Sequence, residues 1–116
     1  MINGFEETTE PLTDDELRIM DIIVTHIANK IGRSNAVTNQ KICDGVNGSC
    51  RPQRKLTPPR LRKIIHRIRV EKRVRNLIAF HGGYYVSNDP QEIEHYKRGL
   101  KNRAASIMAA YDSYGL

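Results

Sequence analysis

Eleven of the nineteen Lys and Arg residues lie between Arg51 and Arg75, and the span contains one acid, Glu71. It carries +10 over 25 residues, which leaves −4 on the other 91. Cations at this density repel one another and gain most beside a polyanion that supplies the missing negative charge. Ten of them fall into three groups. Arg51, Arg54 and Lys55 sit among turn formers. Arg60, Arg62, Lys63, Arg67 and Arg69 recur along one periodic segment, with His66 among them. Arg73 and Arg75 follow it.

Other chemistry is sparse. Cys43 and Cys50 are six residues apart, and His26, His66, His81 and His95 are scattered singly, so no zinc set forms. Two free thiols are expected, Cys43 partly buried and Cys50 in a loop. Asp14, Asp15 and Glu16 cluster, but a helix N-terminus accounts for three acids. His26 reads as a structural histidine. His81-Gly82-Gly83 has no serine partner in context. There is no P-loop, nucleophile elbow or dinucleotide fingerprint. No catalytic site, metal or cofactor is expected.

The elements that must position the cations are legible from caps and periodicity. Residues 1–12 are acidic and aperiodic, which predicts a disordered tail. Thr13-Asp14-Asp15-Glu16 is a capping box. Leu17, Met20, Ile23, Val24, Ile27, Ala28 and Ile31 then recur at helical spacing up to a stop at Gly32. Arg33–Val37 reads as a short extended segment. Thr38 caps a second helix from Asn39 to about Asp44, with Gly45 at its end. Asn47–Lys55 is a loop.

Thr57 and Pro58 open a third helix over 57–72, whose apolar face is Leu61, Ile64, Ile65 and Ile68. Pro59, Lys63, His66 and Val70 lie opposite, flanked by Arg62 and Arg67. Val74–Phe80 and Tyr84–Val86 form a hairpin about His81-Gly82-Gly83, and one tyrosine of the Tyr84-Tyr85 pair faces inward. Asp89-Pro90-Gln91-Glu92 is a second capping box, opening a helix of about 23 residues.

The expected fold is mainly α with a β-hairpin. Helix, extended segment, helix, helix and hairpin, over residues 13–88, resemble the winged-helix (helix-turn-helix) DNA-binding family. The Thr57–Lys72 helix and the Val74–Val86 hairpin carry that resemblance. Gly83-Tyr84-Tyr85-Val86 followed by Asp89-Pro90-Gln91-Glu92-Ile93 also looks like small phage-encoded winged-helix proteins. The loop before the third helix is long for the family, and the wing is short, with a histidine and glycines at its tip.

The resemblance implies that the third helix enters a duplex DNA groove. Thr57, Arg60 and Lys63 would then meet base edges or flanking phosphates, followed along the groove by His66 and Arg67. Arg62 and Arg69 would meet phosphates laterally. Arg51, Arg54, Lys55, Arg73 and Arg75 would supply further phosphate contacts, and His81 would sit at the wing tip. It implies a transcriptional regulator of phage or mobile-element type. The alternatives are a replication or recombination accessory factor, and an inhibitor that grips a host protein or nucleoprotein complex.

Over 89–116, Ile93, Tyr96, Leu100, Ala104, Ile107 and Tyr111 form an apolar stripe too long for the domain to cover. A homodimer through it is expected, with folding back on the first helix as the other outcome. No run of about 18 apolar residues marks a membrane span, and Met1–Glu7 lacks a basic, apolar leader, which predicts a cytoplasmic protein.

Overall fold

In the computed structural model, which describes residues 9–115, Thr13 and Glu16 cap each other as their spacing predicts. The Glu16 amide donates to Thr13 Oγ1 (3.1 Å), and the Thr13 amide donates to Glu16 Oε1 (2.9 Å). They open helix α1, Asp14–Ile27, which turns Ile19, Met20, Ile23 and Ile27 into the core. Most of the predicted tail, residues 1–8, lies outside the described residues. The rest of it is held: Leu12 packs on the core, and the Glu10 and Pro11 carbonyls each accept a hydrogen bond from Arg60.

α1 stops one turn before the periodicity does. Ile31 is nearly half exposed and bridges Val86 in parallel. The Val86 amide donates to the Lys30 carbonyl and the Gly32 amide to the Val86 carbonyl, so the hairpin claims backbone groups that a longer helix would need. Arg33–Asn35 is a 3₁₀ turn, not an extended segment; only Val37 pairs as a strand residue, exchanging both hydrogen bonds with Tyr84.

Helix α2, Asn39–Ser49, is capped by Thr38 and runs through Gly45, where the sequence suggested an end. The added turn buries Val46 beside Cys43 and brings Asn47 to Leu56, where its side-chain amide satisfies both backbone groups (3.0 and 2.7 Å). Cys43 is fully buried, which raises its thiol pKa, and Cys50 caps the helix instead of lying in a loop.

Helix α3, Pro58–Val70, packs on α1 and α2. Leu61, Ile64, Ile65 and Ile68 are all buried, as their spacing predicts. It ends in a Schellman turn, with Lys72 in the left-handed region (φ 57°) and the Arg73 amide donating to the Ile68 carbonyl. A second turn follows at Arg75 and Asn76, with Asn76 also left-handed (φ 59°), and takes up residues predicted as strand. Strand β1 is therefore Leu77–Phe80, antiparallel to β2, Gly83–Val86, with Phe80 opposite Gly83. Tyr84 and Tyr85 are both buried. Alternation still puts them on opposite faces: Tyr84 joins the main core, and Tyr85 meets the Phe80 ring edge-on, close to Glu92.

Helix α4, Pro90–Ser113, begins with the Asp89 carboxylate accepting from the Gln91 amide (2.9 Å). The predicted capping box is incomplete, because Glu92 turns instead to the buried hydroxyl of Ser87. The first two turns rest on the hairpin through Ile93 and Tyr96. The helix does not fold back on α1: from Lys97 to Gly115 every residue is exposed. The radius of gyration, 15.8 Å, accordingly exceeds the about 13 Å of a compact chain this long. No described helix is long and apolar enough to cross a membrane.

Candidate nucleic-acid interface

The charge block divides by how each cation is held. Arg60 is the clearest departure from expectation. It is 7% exposed, and its guanidinium reaches Glu16 by two hydrogen bonds, one of them 2.8 Å from Nε to Oε2, besides the Glu10 and Pro11 carbonyls. The carboxylate that closes the α1 capping box thus also clamps α3 to α1. The Arg60 hydrogen bonds are the main reason the Glu16 carboxyl is held below the usual glutamate range, against the opposing effect of burial. Arg60 faces inward and cannot read a base edge or meet a phosphate without unpacking this end of the fold.

Arg69 is also engaged inside the chain. Its Nη2 donates to the Tyr96 hydroxyl (2.8 Å), its guanidinium carbon lies 5.8 Å from the Tyr96 ring centroid, and its Nε is buried without a partner among the described residues. Arg73 pairs with Asp21 of α1 (2.9 Å), Arg67 pairs with Glu71 one turn on, and Arg54 lies 4.0 Å from the Glu10 carboxylate. The acids missing from the basic stretch are therefore supplied largely by α1 and the segment before it.

The loop cations are held apart from the outer face of α3 by the loop's own anchor. The Gln53 amide donates to Asp15 (2.9 Å), which, with Arg18, keeps the Asp15 carboxyl below its ordinary range, so the loop crosses the N-terminus of α1. Arg51 there has a left-handed backbone (φ 44°). Thr57 is half-buried at the α3 N-cap. The outward side of α3 keeps Arg62 and His66 exposed, with Lys63 half-buried and Val70 largely exposed. Among the described residues, Arg51, Lys55, Arg62, Lys72 and Arg75 have no ion-pair partner.

Arg62 faces the hairpin side, where its charge, with that of Arg69, bears on Tyr84; burial dominates there and raises the tyrosine's pKa. His81 is exposed at the tip, its ring 5.2 Å from Phe80. Sequence reasoning missed Arg33, whose guanidinium sits 4.2 Å above the Phe80 ring and adds a cation beside the hairpin. It also left out Lys72, whose exposure follows from the Schellman turn. Helical and strand periodicity signalled neither, since each sits in a turn.

Comparisons with protein-family models, curated proteins and solved structures gave no match to this chain.

Proposed function

We propose that this chain is a winged-helix protein that binds duplex DNA through the outer face of α3, acting as a transcriptional regulator by occupying its site. The observation that carries the reading is the division of α3 itself. Leu61, Ile64, Ile65 and Ile68 are all buried, while Arg62 and His66 remain exposed on the opposite side, with no acid between Pro58 and Val70. The pairing of Val37 with Tyr84 beside the β1–β2 hairpin supports the winged-helix assignment, since it adds a third extended segment next to the two strands. The protein partner in this reading is a second copy of the chain, met through α4, whose later turns are fully exposed among the described residues.

The test is duplex binding followed by fluorescence anisotropy at several salt concentrations. Arg62→Ala with His66→Ala should weaken binding at least tenfold and lower the salt slope by about 0.9, for the one phosphate no longer neutralised. The melting temperature should be unchanged, because neither side chain is in the core. Unaltered affinity would remove α3 as the contact surface. Binding that survives competitor DNA marks a regulator, and binding without sequence preference marks an accessory factor. No complex at low salt would turn the reading towards an acidic protein target.

A further inference from the structure

The outer part of α4 has an apolar face that is exposed among the described residues. Ile107 is 63% exposed, Tyr111 72% and Tyr114 83%, and Leu100 and Met108 are exposed as well. At 3.6 residues per turn, Leu100, Ala104, Ile107, Tyr111 and Tyr114 fall within about 80° of arc. A helical end draws most of its stability from packing of such a face, and beyond Leu100 the described residues leave it exposed.

Charge along the helix decides what covers it. Lys97, Arg98, Lys101 and Arg103 crowd the inner half, whereas Asp112 is the one charged residue from Ala104 to Gly115. A parallel partner would set four cations beside four cations. An antiparallel partner sets them beside the segment holding Asp112, and opposes the two helix dipoles favourably.

We propose that α4 pairs with α4 of a second copy, antiparallel, about a two-fold axis through Ile107. This rests on the self-association proposed above and fixes its orientation and register. In that register Ile107 meets its own copy, Leu100 meets Tyr114, and the small Ala104 makes room for Tyr111. Lys101 and Asp112 lie on one shoulder of the helix, and each faces the other's copy, so two identical ion pairs form. Neither has an ion-pair partner within its own chain among the described residues.

The register also sets the span of the assembly. Tyr96 precedes Ile107 by eleven residues, so the two copies of Tyr96 stand about 33 Å apart along the pair at 1.5 Å per residue. Tyr96 also holds Arg69 near the end of α3, so each copy's α3 is tied to α4 at that level of the pair.

Sedimentation equilibrium of the full chain tests this. The wild type should associate to twice 13.3 kDa, and Ile107→Lys, at an exposed site that folding does not need, should remain a monomer. Lys101→Glu alone and Asp112→Lys alone should each weaken the dimer about tenfold, since two pairs become two repulsions. The double variant, and an equimolar mixture of the two single variants, should restore it. A wild type that is monomeric at every concentration overturns self-association. A dimer that resists the single reversals, or is not rescued by the double, overturns the antiparallel register while leaving self-association standing.

Discussion

At the scale of the residue, Arg60 marks the limit of reading charge from sequence. It sits in a row of cations, one turn into a helix whose other face is apolar, and nothing local separates it from Arg62. Its partner is 44 residues away in sequence, and the clamp exists only once α1 and α3 have docked. Arg60→Met should strand Glu16 in a mostly buried site and cost about 3 kcal/mol, seen as a fall of roughly 10 °C or more in melting temperature. If Arg60 were instead a DNA contact, the variant would lose affinity and keep its melting temperature. The pH dependence follows from the same contact. The Glu16 carboxyl is held down in the folded chain, so the pair stabilises fully above the ordinary glutamate range near pH ~4.3 and loses its contribution as the pH drops through the lowered value. Glu16→Gln should flatten acid unfolding in that window, measured as stability against pH by urea titration.

At the scale of the element, what was legible was what is local. The Thr13 and Thr38 caps, Pro58 at the start of α3 and the four-residue apolar face of α3 all depend on residues within a turn or two, and the structure has them as read. What was not legible was set from outside the element. α1 ends early because the hairpin takes the Lys30 carbonyl, α2 runs on because Val46 and Asn47 have distant partners, and β1 starts late because a turn with Asn76 left-handed precedes it, the Asn76 carbonyl accepting from the Ser87 amide. Two substitutions test these ends. Lys72→Gly should stabilise by about 1 kcal/mol, since glycine occupies the left-handed region without the steric cost that lysine bears. Gly83→Ala should do the opposite and severely: its φ is +121°, and a Cβ there would lie 2.2 Å from the Val37 carbonyl oxygen. Because that close approach joins the hairpin to the segment before α2, the damage should appear as cooperative unfolding at a lower urea midpoint.

At the scale of the whole molecule, a charge of +10 on 25 residues overstates what is free to meet a polyanion. Arg60 is inside, Arg69 is held by Tyr96, and Arg54, Arg67 and Arg73 already face acids. Arg51, Lys55, Arg62, Lys72 and Arg75 have no ion pair among the described residues, and they are spread from the loop over α1 to the approach to the hairpin. If each of these five neutralised one phosphate, the logarithm of the binding constant would fall with the logarithm of salt concentration at a slope of about 4–5 per bound chain, against about 10 if all eleven cations did so. The exposed pairs Arg67–Glu71 and Arg73–Asp21 bear on the same measurement, because surface ion pairs are weak and phosphate can replace the carboxylate. Glu71→Gln and Asp21→Asn should therefore each raise the slope by up to about 1 and tighten binding, whereas Glu16→Gln should leave the slope where it is, since Arg60 stays buried. Anisotropy titrations of the three variants across salt, normalised per chain, separate the cations the fold keeps for itself from those it presents. A slope that rises equally for all three would place Arg60 on the nucleic-acid surface after all.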